Sequence, residues 1–224
     1  MARLEFRFVT ALEHETHGIP NLEKQLGKSP TLFVQLLALL YRRDDGGEDP
    51  PEWQVKDEEK SSALGTAVYR LLENVKRIPG TTQAGEIDEK ALLAWVKETQ
   101  SLAAKYGRAD VGDLKIGRIL SSPVPVGNDG VWPCEAVRNV MEECGTAEMA
   151  EGFQTGVYNS RGVHARGEGG EQERVLAEKY RNWSRKLRFD HPYVATTVEG
   201  VAESYDRQAG WQDSESAVRR RLSR

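Results

Sequence analysis

Ser29-Pro30-Thr31-Leu32-Phe33-Val34-Gln35-Leu36-Leu37-Ala38-Leu39-Leu40 is the stretch that decides the fold. Ser29 offers a capping oxygen and Pro30 suits the first helical position, where no N–H is needed. The apolar residues that follow lie nearly all round a helical cylinder rather than along one stripe. A helix apolar on every side must be surrounded by other elements, so this one is expected at the centre of the first half. It is too short for a bilayer, which needs roughly 20 residues. Upstream, Leu4, Phe8, Val9 and Leu12 predict a short helix packed against it.

Downstream, residues 44–59 hold eight acids against Lys56, together with Gly46, Gly47, Pro50 and Pro51. Proline, glycine and like charge predict a solvent loop. Helical spacing then returns with Leu64, Ala67, Val68, Leu71, Leu72 and Val75, and stops at Ile78-Pro79-Gly80, which suits a type II turn. Asp88 caps a helix with Leu92, Trp95, Val96 and Leu102, and another carries Val111, Leu114, Ile119 and Leu120. Past Ser121–Gly130, helices are expected after Pro133, after Thr146, from Glu171, and from Pro192 through Tyr205. No sustained two-residue alternation predicts a strand. The expected class is all-α. Helix pairs beginning near residues 88, 132 and 171 suggest an irregular α-solenoid of HEAT-like pairs, and a globular multi-helix bundle is the alternative. The division read from the chain is an N-terminal half over 1–121, a Pro/Gly linker over 122–130 and a C-terminal half over 131–224, with one continuous domain as the other possibility.

The formal net charge of −4 creates no global field that argues for nucleic acid or an anionic membrane. Cys134 and Cys144 are ten residues apart, too far along a helix to bridge, and read as plain thiols of a reducing compartment. The N-terminal residues mix charges with apolar side chains and lack the uncharged core of a signal peptide. The expected address is the cytoplasm, with no membrane partner.

Two groups of residues are candidate contacts. The first is the glycine-rich loop between two strong helices, where Arg161, His164, Arg166 and Glu168 stand close in sequence. Glycines let backbone approach a ligand and arginines fork onto carboxylate or phosphate. Glu168 stands where a phosphate loop needs Lys, so a P-loop is excluded. The second is a stripe of Arg174, Arg181, Arg185 and Arg188 on the helix from Glu171, joined by Arg219, Arg220 and Arg221 (with Arg224) at the C-terminus. This set could contact nucleic acid or an acidic partner, while Glu178 inside the stripe, able to pair with Arg181, favours the other reading, a solvated charged face.

No catalytic motif is recognisable: there is no nucleophile elbow, and His14 and His17 lack both the HExxH spacing and a third ligand. No catalytic residue, metal or cofactor is assigned. Trp95 and Trp183 lie on apolar stripes and read as core. Trp53, Trp132 and Trp211 read as residues beside loops. The expected function is a non-catalytic helical scaffold or partner-recognition module that binds a protein or other domains of a longer chain. Nucleic-acid binding through the arginine stripe is the alternative.

Four stretches carry a likeness to a family: Lys28 to Arg43, Asp49-Pro50-Pro51-Glu52-Trp53, Gly156 to His164, and Gly210-Trp211-Gln212-Asp213-Ser214-Glu215. In them the chain resembles the C-terminal helical region of large bacterial multidomain proteins of uncharacterised function. The resemblance implies a piece of a longer protein, with Met1 added and any catalysis lying upstream.

Overall fold

The computed structural model describes residues 20–55, 57–122, 125–160 and 169–222. The upstream helix expected over Leu4–Leu12 lies outside them. Among the described residues are nine α-helices, a short 3-10 turn at Pro51–Trp53 and no strand, only an isolated bridge between Thr81 and Ile87. The all-α expectation holds. The helices are α1 (Pro20–Leu26), α2 (Pro30–Leu40), α3 (Glu58–Asn74), α4 (Glu89–Lys105), α5 (Ala109–Leu120), α6 (Glu135–Cys144), α7 (Ala147–Ser160), α8 (Glu171–Leu187) and α9 (Pro192–Leu222). None is long and apolar enough to cross a membrane.

Local chemistry sets several boundaries. Ser29, Asp88 and Thr146 accept from the backbone N–H groups of Leu32, Ala91 and Met149 at 3.2, 3.1 and 3.1 Å, which satisfies donors that a helix start leaves open. At the predicted turn Thr81 N–H reaches Ile78 C=O at 3.2 Å and Gly80 has φ +78°, the left-handed value a type II turn requires.

As its composition demands, α2 is surrounded: it packs against α1, α3, α4, α5 and the 3-10 turn. Phe33, Val34 and Leu37 are fully buried, with Phe33 edge-on to Trp95 at 5.2 Å. The Trp95 indole N–H donates to Leu26 C=O at 2.9 Å, so its one polar atom is satisfied inside the core. A single apolar cluster runs from Leu22 to Tyr205, so residues 122–130 join helices that share a core.

Helix α4 packs on α6 and α5 on α7, so the first two pairs stack like on like. The third pair departs from that order. Its second member, α9, packs against both α6 and α7, while α8 packs on α9.

The closest crossing is between α5 and α7, and glycine makes it possible. A Cβ on Gly117 would lie 2.0 Å from Met149 C=O, and one on Gly152 would lie 1.9 Å from Leu114 C=O. A Cβ on Gly156 would meet Ser121 Oγ at 1.9 Å. Backbone therefore packs directly on backbone here, within reach of Cα–H···O contacts.

The acidic loop is not free in solvent. Arg108, 1% exposed, donates to both carboxylate oxygens of Asp49 at 2.8 and 2.6 Å and to the carbonyls of Tyr41 and Tyr106 at 2.9 and 2.7 Å. Trp53 then packs on Tyr106, the rings tilted by 51° with centroids 4.4 Å apart. A forked ion pair, invisible to a composition-based reading, fastens the loop to the start of α5.

Asp113 on α5 is also buried and accepts from Gln100 Nε2 at 2.9 Å. Burial raises its pKa above the ordinary carboxylate value, with hydrogen bonding from Gln100 opposing the shift. The folded state thus holds this proton more tightly than the unfolded chain does. Stability falls as pH climbs from the ordinary carboxylate range through the raised value, then stays level with respect to this group. Asp113→Asn keeps an oxygen for Gln100 and is expected to raise the urea midpoint at pH 7 and flatten that decline. A wild-type and variant pair with parallel pH profiles would refute this account.

Candidate functional site

Helices α7 and α9 run in the same direction. Tyr193 O–H donates to Thr146 C=O at 2.7 Å near their starts, Gly200 leaves room for the Gln154 amide midway, and the rings of Tyr158 and Tyr205 lie 6.0 Å apart farther on. Alongside these contacts an open groove of about 580 Å³ lies between them. One wall is Glu151, Gln154, Thr155 and Tyr158; the other is Ser204, Arg207, Gln208 and Trp211. Each set has the spacing i, i+3, i+4, i+7, which is one face of a helix. Each wall includes an exposed aromatic at its far end: Tyr158 is 42% and Trp211 59% exposed.

The rest of the lining is amide, hydroxyl and one charge of each sign. Ser204 donates to Gly200 C=O at 2.9 Å and accepts from Arg207 at 2.8 Å. Gln208 Oε1 is buried without a hydrogen-bond partner, and one turn farther Gln212 Nε2 is a buried donor in the same state. Buried polar atoms are normally paired, so these two amides carry an unmet hydrogen-bonding cost beneath the groove wall.

An aromatic chain supports the groove from behind. Tyr180 stacks on Tyr205 at 5.6 Å, and Trp132 contacts Phe153, Tyr180 and Trp183 at 5.3–5.6 Å. Burial raises the Tyr180 hydroxyl well above its ordinary value and pushes Tyr193 up to about 12, so both stay neutral. Cys134 and Cys144 are unbridged, and burial raises both thiols, which makes them poor nucleophiles.

The arginine stripe of α8 turns toward α9 rather than forming a separate outer face. Arg174 pairs with Asp213, and Arg181 pairs with Asp206 and, at 3.2 Å, with Glu199. Glu178 accepts from Arg181 and from Arg185 at 3.4 and 3.1 Å. The hydrogen bond from Arg174 and the Gly170 N–H hold the Asp213 carboxyl below its ordinary pKa. Four carboxylates therefore face three of the four stripe arginines: Glu178 on α8 itself, and Glu199, Asp206 and Asp213 on α9, which no reading of α8 alone reveals. Arg188 lies at the C-terminal end of α8.

The C-terminus differs from its expected form. α9 continues through Gly210 to Leu222, so Trp211 sits within a helix and Arg219, Arg220 and Arg221 form its last turn. Cations there are favoured by the helix dipole. Arg219 also pairs with Glu215 at 2.8 Å.

Arg161, His164, Arg166 and Glu168, like His14 and His17, lie outside the described residues. Among the described residues no three His, Cys, Asp or Glu side chains gather as metal ligands would. The sequence reading missed the groove. Its available signal was that Tyr158 and Trp211 stand off the apolar stripes of their helices. Compared with protein-family models, curated proteins and solved structures, the chain matches none.

Proposed function

We propose that the chain is a non-catalytic partner-recognition module that takes a segment of another protein, or of a longer chain containing it, into the groove between α7 and α9. The observation that carries this reading is the pair of exposed aromatics, Tyr158 and Trp211, one in each of two matched polar helix faces. Exposed tryptophan and tyrosine beside a concave surface supply large contact area at little conformational cost. The amides and hydroxyls between them suit a peptide main chain, which brings both N–H and C=O groups. That the natural context is a larger bacterial protein rests on the sequence resemblance alone.

Peptides selected from a display library on the purified chain test the reading. Trp211→Ala is expected to weaken the selected peptides by about 2 kcal/mol, roughly thirtyfold, and Tyr158→Ala by less. Lys179→Ala, on α8 away from the groove, is the control. Selected peptides whose affinity ignores both groove variants would remove the groove from the proposal.

A further inference from the structure

We infer that two copies of this chain associate through the projecting end of α9, packed antiparallel on itself. The start of α8 lies abreast of α9 near Ala209–Asp213: a Cβ on Gly170 would meet Ala209 backbone, and Gly170 N–H donates to Asp213 at 2.9 Å. Gly169 N–H then reaches Ser216 Oγ at 3.0 Å, and α9 runs on to Leu222. The projecting part carries Trp211, Val218 and Leu222, which are 59%, 53% and 83% exposed. At 100° per residue these three fall within a sector of about 40°, a narrow apolar seam of the kind that pairs helices.

The charges along the seam identify the occupant. Its first half carries Glu215 and its last turn Arg219, Arg220 and Arg221. A second copy laid parallel would bring Arg219 and Arg221, which flank the seam, against the partner's Arg221 and Arg219 and force the two helical bodies side by side. Laid antiparallel, with the twofold axis between residues 216 and 217, Trp211 meets the partner's Leu222 and Val218 meets the partner's Glu215 stem. Glu215 and Arg219 flank the seam on one side, so each Arg219 reaches the partner's Glu215. The described bodies then lie toward opposite ends of the paired helices. The interface is isologous and closed, which limits assembly to a dimer. Three apolar side chains per copy make a small contact, near or below the roughly 1,200 Å² where stable interfaces begin, so the dimer is weak and concentration-dependent.

Sedimentation equilibrium of the whole chain from about 1 to 200 µM, a range that brackets weak association, reads the result. A monomer–dimer equilibrium is expected within it, and a monomer at every concentration overturns the inference. Val218→Glu and Leu222→Glu, both exposed, are each expected to raise the dissociation constant at least about tenfold. An unaffected dimer also overturns it. Glu215→Arg and Arg219→Glu are each expected to weaken the dimer, and Glu215→Arg with Arg219→Glu to restore it. A dimer indifferent to both single reversals rules out the antiparallel register. Circular dichroism of each variant confirms that the helices are intact. Trp211 belongs to both contacts, so groove peptides are expected to compete with the dimer; Val218, Leu222, Glu215 and Arg219 lie outside the groove lining, so failure here is separate from failure of groove recognition.

Discussion

Gly152→Ala is expected to cost the fold about 3 kcal/mol, while Gly210→Ala, the same change on another helix, is expected to add about 0.5–1 kcal/mol. Taken alone, alanine is the better helix former by roughly 0.8–1 kcal/mol, so intrinsic preference favours both variants. The surroundings decide the sign. At Gly152 the new Cβ would lie 1.9 Å from Leu114 C=O, which is backbone and has no rotamer to escape into. Relief requires α5 and α7 to part by more than about 1 Å along a seam that also includes Gly117 and Gly156, and close-packed contacts fade over such distances. At Gly210 nothing lies within 4 Å of the new atom, so only the helix preference remains. Urea midpoints measured side by side test the contrast, and equal shifts of one sign would refute the close crossing.

Asp49→Ala has the second large effect, a loss of about 3–5 kcal/mol. The cost comes less from the lost attraction than from a guanidinium left unpaired where water does not reach, since Arg108 is 1% exposed. Asp49→Asn retains one acceptor and is expected to cost less. Replacing both partners, Arg108→Met with Asp49→Leu, removes the stranded charge and is expected to recover part of the loss. Recovery stays incomplete because Tyr41 and Tyr106 lose a donor to their carbonyls. Thermal or urea unfolding checks the order, and a double variant no better than Asp49→Ala would contradict it.

These two sites also mark where the sequence was legible and where it was not. Surrounding α2 by other helices follows from its apolar circumference, and the starts of α2, α4 and α7 follow from Ser29, Asp88 and Thr146, because both signals are local. The Arg108–Asp49 fork joins residues 59 positions apart, and nothing in either neighbourhood announces the other. The pairing of Arg174 and Arg181 with Asp213 and Asp206 is hidden for the same reason: a helical wheel displays one helix, not the carboxylates facing it. Gly152-x-x-x-Gly156 was legible as small-residue spacing that permits close helix approach, although the wider apolar stripes drew attention away from it. The apolar pattern that marks α9 in the sequence fades after Tyr205, and Gly210 interrupts it, yet the helix runs on to Leu222. A single exposed glycine costs a helix only about 1 kcal/mol, which the flanking turns outweigh.

The 31-residue α9 is unevenly supported, and that gives it a gradient of motion. Its first part is held by α6, α7 and α8, with Val194, Val198 and Ala202 essentially inaccessible, whereas Val218 and Leu222 stand open. Backbone amides in the first part are expected to exchange with deuterated solvent only when much of the protein opens, and those after Ser216 through local opening of the helix. The same rod is thus held firmly at its root and by less and less toward its tip, so local opening is expected to spread inward from residues 217–222.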